Sequence, residues 1–194
     1  MPKRDVILAS ASPRREELLG LIFKEFWVTP SEFDESKVPQ DLPPAEQVVY
    51  SSQMKARDVA AGNPKSLVIA ADTIVVVDET ILGKPHDRAD AARMLKMLSG
   101  RTHQVYTGVA VIYDGKQHSA FECTDVTFSD LSDEIISRYV SSGEPMDKAG
   151  AYAIQGRGAV LIESICGCYF NVVGLPVHKL SNLLGEIGIP PLMS

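Results

Sequence analysis

Residues 5–19 read DVILASASPRREELL, and the backbone period changes inside that stretch. Asp5–Ala9 is predicted to form a short buried strand, Ser10-Ala11-Ser12 a tight turn and Pro13 onward a helix, because Ser12 suits the N-cap and Pro13 the first helical position. A strand feeding directly into a helix is the unit of a mixed α/β fold, and the same switch of period recurs along the chain. Arg14 and Arg15 fall in the first helical turn, where the helix dipole is already positive and backbone N–H groups lack partners. Two readings stand side by side. A phosphate chain held by those N–H groups, by the Ser10 and Ser12 hydroxyls and by the guanidinium forks would balance the charge. Alternatively, Glu16 and Glu17 pair with the arginines on a solvated face.

Working outward, Phe26–Thr29 is expected as a second strand, followed by an acidic, proline-rich loop from Ser31 to Pro44 and a long helix from about Ala45 to Ala61, stopped by Gly62. Ser66–Ala71 is a near-continuous apolar run ending in Asp72-Thr73, and Ile74–Val77 resumes it, which puts Asp72 at a strand end and therefore at the edge of a site. Gly83-Lys84-Pro85 breaks the chain before a helix with Asp87 at its N-cap and Gly100 after it. His103–Tyr113 and Gln117–Phe128 flank Asp114-Gly115, a hairpin signal. Then come a helix over Ser132–Ser142 and a glycine-rich loop, GEPMDKAGAYAIQGRG at 143–158. A second hairpin is expected from Ala159–Cys166 and Cys168–Val173, and a last helix over Pro176–Ile187. No linker divides the sequence, so residues 1–194 are expected to form one domain.

The 194 residues are 45% hydrophobic and 23% charged, which is ordinary globular composition. A net charge of −6 opposes a general grip on a nucleic acid polymer, but leaves room for a single nucleotide held by local cations. The apolar run Val6–Ala9 is too short for a secretory segment and nothing reads as a membrane span, so a cytoplasmic protein without membrane partners is expected. Cys123, Cys166 and Cys168 have no zinc spacing and read as reduced structural thiols on strands. His86, His103, His118 and His178 are scattered, and read as surface or core-edge residues.

Arg14 and Arg15 at a helix start, Asp72 after a buried strand and Lys84 in a turn make up an inventory for phosphoryl transfer: cations for phosphate and a carboxylate for metal or water. The acidic loop offers Glu32, Asp34 or Glu35 as a second carboxylate. By residue type alone, Lys55 is a surface lysine and Glu35 a solvated loop acid. Neither GxxxxGK[ST], nor GxGxxG after a strand, nor GxSxG is present.

Six segments in order carry a resemblance: LASASPRREELL from Leu8, AADT from Ala70, LGKP from Leu82, MLKMLSGRTHQVYTGV from Met94, GEPMDKAGAYAIQG from Gly143 and NVVGLP from Asn171. Together they closely resemble the Maf family of nucleoside triphosphate pyrophosphatases. The resemblance implies an elongated mixed α/β fold, with a curved sheet flanked by helices and two lobes around a deep cleft, related to the inosine triphosphate pyrophosphatases. It implies hydrolysis of a nucleoside triphosphate to monophosphate and pyrophosphate with a divalent cation, Mg²⁺, Mn²⁺ or Co²⁺, and a homodimer. By the same resemblance Asp72 is the catalytic acid/base, assisted by Lys84; Ser10, Arg15, Lys55 and Lys84 handle phosphate; and Glu35 joins Asp72 at the metal. Arg14, Thr73 and Gln155 match the subgroup that takes dTTP and UTP. A Gln amide could partly pair with the acceptor-donor-acceptor edge of thymine or uracil. AADT stands where the family more often has GADT, which leaves Asp72 and Thr73 in place. The alternatives are a 7-methyl-GTP pyrophosphatase and, from another class, a nucleotide-binding regulator of septum formation.

Overall fold

Val6–Leu8 (β1) is buried at every position and lies parallel both to Trp27–Val28 (β2) and to Leu67–Val77 (β3), as suits a strand covered on both faces. The computed structural model describes residues 5–189. Pro13–Leu19 (α1) follows β1 with Pro13 at its first turn, and Pro44–Gly62 (α2) precedes β3. Past β3, a turn at Asp78 and Glu79 leads into Thr80–Leu82 (β4), antiparallel to β3. Arg88–Leu98 (α3) starts where the Asp87 side chain accepts a hydrogen bond from the Asp90 N–H. Thr102–Tyr113 (β5) and Lys116–Phe128 (β6) flank the predicted turn, where Asp114 and Gly115 both have positive φ, as a type I′ hairpin turn requires. Asp133–Ser141 (α4), Ile162–Cys166 (β7), Tyr169–Val173 (α5) and Val177–Glu186 (α6) follow. Among the described residues the sheet has seven strands, in the order β2-β1-β3-β5-β6-β7 with β4 on β3, and is mixed.

The chain groups into two compact units. The first holds residues up to Asp72, Thr107–Glu122 and those from Gly174 onward; the second holds Thr73–Tyr106 and Cys123–Val173. In the first unit, α2 turns Val48, Ser51, Ser52, Lys55, Ala56 and Val59 inward at helical spacing. Ala56 and Val59 share a core with Ile7, Ala9, Val68, Ala70 and Ala110. Gly108 lets β5 come in close: a Cβ there would stand 2.2 Å from the Val48 carbonyl oxygen. That contact fixes the depth of α2 and the direction of its buried face. In the second unit Val75, Leu82, Leu95, Leu98, Val126, Phe128, Ile136 and Leu161 form one core with α3 and α4 over the strands. Among the described residues no helix is long and apolar enough to cross a membrane.

Four expectations need correction. Asp72 is not at a strand end, because β3 runs unbroken through Asp72 and Thr73 to Val77. The second hairpin does not form: residues 156–161 are a 3₁₀ turn, only β7 is strand, and Tyr169–Val173 is helical. Cys168 therefore leaves the strand, and its N–H donates to Thr124 Oγ1 at 3.0 Å. The apolar run 168–173 was too short for periodicity to tell strand from helix. His103 is not at the core edge but only 2% exposed.

Candidate functional site

Ser12 has the extended backbone of an N-cap, but its side chain makes no capping bond. The turn is closed one step earlier, where Ser10 Oγ accepts from the Ser12 N–H at 3.2 Å. That oxygen also accepts from Arg15 Nη1 at 3.3 Å, while Arg15 Nε donates to the Gly174 carbonyl at 2.8 Å. These contacts hold the Arg15 guanidinium against Ser10 and the Gly174 carbonyl. Burial lowers the pKa of Arg15, with Arg14 adding to the effect, while the charges of Asp72 and Glu35 oppose it. A guanidinium nonetheless stays protonated throughout the working range.

Lys55 projects from the buried face of α2 and is 8% exposed. Its Nζ donates to Asp72 Oδ1 and to Glu35 Oε1, both at 2.6 Å. A buried ammonium is costly unless it is paired, and here it has two carboxylate partners. The Asp72 side chain is 16% exposed and that of Glu35 57%, so one carboxylate is fixed inside and the other faces water. The acidic loop reaches Lys55 because α2 also holds the loop. Asp58, one turn beyond Lys55, accepts from Ser31 Oγ at 2.7 Å and from the Glu32 N–H at 2.8 Å. Asp34 then accepts from the Ser36 N–H and hydroxyl, shaping the 3₁₀ turn Glu35–Lys37. These bonds lower the pKa of Asp34.

Ser10, Arg15, Glu35, Lys55 and Asp72 are thus brought together in the first unit. The donor set fits a hard divalent cation with few protein ligands. Two carboxylates converge on one point, and Mg²⁺ typically takes one or two carboxylates and completes its shell with phosphate oxygens and water. Among the described residues no three His, Cys, Asp or Glu side chains gather to form an all-protein cage.

Thr73, Lys84 and Gln155 belong to the second unit. Lys84 is exposed in a turn after β4, and the neighbouring Gly83 carbonyl accepts from the Gly150 N–H at 3.0 Å. Gln155 is half-buried with extended backbone, just before the 3₁₀ turn. Three supporting groups escaped the sequence reading. Asp58 could have been found, since its spacing from Lys55 puts both on one helix face. The Gly174 carbonyl could not, because a backbone acceptor leaves no mark in residue type. Glu144 was hidden as one more polar residue in a glycine-rich loop.

The chain is 53% identical over 187 residues to a protein of Symbiobacterium thermophilum named dTTP/UTP pyrophosphatase, covering 96% of each chain. Proteins of the same name from Moorella thermoacetica and Bacillus pumilus are 52% identical (95% of each chain) and 48% identical (96% of this chain, 98% of the relative). In fold it is similar to a HAM1 protein from Coxiella burnetii, with a TM-score of 0.52 at 17% identity, covering 95% of this chain and all of the other. The Maf-like protein family profile matches residues 5–187, and the chain belongs to that family.

Proposed function

We propose that this chain hydrolyses dTTP and UTP to the nucleoside monophosphate and pyrophosphate. The observation that carries the reading is the convergence of Asp72 and Glu35 on Lys55, in the unit that also holds Arg15 against Ser10, in a chain about half identical to relatives bearing that activity in their names. Asp72 orients a water and takes its proton as the oxygen attacks the α-phosphorus in line; the bond from that phosphorus to the bridging oxygen breaks, and pyrophosphate leaves. Lys55 holds the Asp72 carboxylate in one orientation, so the base is positioned before substrate arrives. Arg15, backed by Gly174 and Ser10, offers a fixed guanidinium to phosphate oxygens. Glu35 and Asp72 would hold a divalent cation, Mg²⁺, Mn²⁺ or Co²⁺, which when bound neutralises charge on the phosphate chain.

Roles for Lys84 at the leaving group and for Arg14, Thr73 and Gln155 in choosing the base are part of the proposal, and rest on the resemblance of their motifs. Gln155→Glu replaces an amide donor by a carboxylate and is expected to weaken preference for dTTP and UTP.

The test separates products from dTTP, UTP, CTP, GTP and 7-methyl-GTP incubated with the protein and each metal, with Asp72→Asn as control. Monophosphate and pyrophosphate from dTTP and UTP, lost in the variant, are expected. Turnover confined to 7-methyl-GTP, or none from folded protein with any metal, would refute the proposal.

A further inference from the structure

The loop that carries Gln155 is closed by a two-residue polar clamp. Tyr139, on α4 and 5% exposed, donates its hydroxyl proton to Glu144 Oε1 at 3.0 Å, and the same oxygen Oη accepts from the Ala153 N–H at 3.2 Å. The Glu144 carboxylate accepts from the Arg157 N–H at 3.0 Å through Oε2 and from the Gly158 N–H at 2.9 Å through Oε1. Bonds therefore reach the backbone two residues before Gln155 and two and three residues after it, and all end on one tyrosine-carboxylate pair. The glycines make the closure possible. A Cβ on Gly158 would lie 2.3 Å from the Ala153 carbonyl oxygen and 2.6 Å from Tyr139 Oη, and one on Gly156, where φ is +70°, 2.9 Å from Glu144 Oε2. Residues 153–158 thus form a pinched loop with Gln155 inside the pinch.

The protonation states fit these donor and acceptor roles. Burial, then the hydrogen bond to Glu144, raises the pKa of Tyr139, so the hydroxyl keeps its proton. For Glu144, burial works upward, but the bonds from Arg157, Gly158 and Tyr139, with the charge of Lys148, outweigh it and lower the pKa, so the carboxylate is ionised and accepts all three.

We propose that Tyr139 and Glu144 are positioning residues for base selection: they fix the backbone on both sides of Gln155 and so aim its amide. The inference rests on the reading of Gln155 as a base-recognising residue and extends it to two side chains that need not touch the nucleotide. Glu144→Gln puts an NH₂ donor against one of two backbone N–H donors, while Tyr139→Phe removes one oxygen and keeps the ring.

The experiment measures kcat and KM for dTTP and CTP, and amide hydrogen exchange at Ala153, Arg157 and Gly158, in the wild type, Tyr139→Phe, Glu144→Gln, Gln155→Ala and the Glu144→Gln/Gln155→Ala double variant. Exchange is expected to quicken in both clamp variants. The preference for dTTP over CTP should fall roughly threefold to tenfold, the size of one misplaced hydrogen bond, through a raised KM for dTTP. The double variant should discriminate no worse than Gln155→Ala alone, since a clamp has nothing to aim once the amide is gone. Unchanged exchange in both clamp variants would overturn the clamp. Faster exchange with an intact dTTP preference, or a loss that adds to that of Gln155→Ala, would overturn its role in selection. A wild type that does not distinguish dTTP from CTP would overturn the reading of Gln155 and the selection role together, while the exchange data would still judge the clamp. Should Glu144→Gln fail to fold, Tyr139→Phe with Gln155→Ala completes the same cycle.

Discussion

Lowering the pH should destabilise this protein through one histidine, and the size of the effect follows from its surroundings. His103 is 2% exposed; Nε2 shares a 2.7 Å hydrogen bond with the Tyr152 hydroxyl, and Nδ1 is buried with no partner among the described residues. Phe128 and Tyr152 meet the ring edge-on, with centroids 5.0 and 5.3 Å away. Protonation would put an N–H on both nitrogens, and the one on Nδ1 would have no acceptor. Burial accordingly pushes the imidazole pKa from 6.5 down to about 4. The unfolded chain then binds a proton that the folded one refuses, so stability is fully present above the unfolded value and drains away as pH falls from 6.5 through 4. Complete protonation would cost about 3 kcal/mol, roughly 2 of them between pH 7 and pH 5, out of a typical total of about 5–15 kcal/mol.

The assay is urea unfolding at pH 7, 6 and 5 for wild type and His103→Gln, which cannot titrate. Carboxylates contribute equally to both curves, so the difference isolates the imidazole. Wild type should lose about 2 kcal/mol more than the variant over that interval. Parallel curves would refute the reasoning, as would an NMR titration of the His103 ring near 6.5.

Further outcomes follow from the first unit. Asp72→Asn should fold and lose about 10²–10⁴-fold in kcat, the usual worth of a positioned base, measured by pyrophosphate release. Lys55→Met should weaken both stability and turnover, because it leaves two carboxylates facing each other without the ammonium between them; a variant with unchanged Tm and kcat/KM would refute the shared role. Gly108→Ala should destabilise by about 2 kcal/mol or more, since the new methyl meets backbone of α2 that cannot swing away, and thermal unfolding reads it directly. Chelation by EDTA should abolish hydrolysis and added Mg²⁺ or Mn²⁺ restore it, followed as monophosphate formed.

What the sequence could show divides along physical lines. The opening strand, turn and helix were legible because each is set by local residues: an apolar run, small polar residues, then proline. The hairpin at Asp114-Gly115 was legible for the same reason. The carboxylate-lysine convergence was not, since Glu35, Lys55 and Asp72 sit on a loop, a helix and a strand, and their meeting depends on the depth at which Gly108 seats α2. The family resemblance named them without explaining why they meet. The sequence pattern puts a strand end at Asp72 because an acid seldom sits inside an apolar strand; it does so here because Lys55 pairs with it. The burial of His103 is hidden for the converse reason: composition cannot reveal that a lone polar ring will be enclosed by Phe128 and Tyr152 from distant segments.

Charge balance in the first unit bears on the proposed cation. Asp72 and Glu35 contribute two negative charges, and Lys55 and Arg15 two positive ones, so the cluster that would meet the phosphate chain is formally neutral. A nucleoside triphosphate brings about four negative charges, which a formally neutral cluster does not balance. Both cations of the cluster are engaged within it: Lys55 with its two carboxylates at 2.6 Å each, and Arg15 with Ser10 and Gly174. Such a cluster suits a substrate that arrives with its own counter-charge. The half-exposed Glu35 is the side chain best able to turn from Lys55 toward that charge, because water already covers much of it, whereas Asp72 is held inside. On this argument Glu35→Gln should raise the metal concentration needed for half-maximal activity more than it lowers kcat at saturating metal. Asp72→Asn should lower kcat at any metal concentration. Equal metal dependence in wild type and Glu35→Gln would remove Glu35 from the cation's proposed ligands.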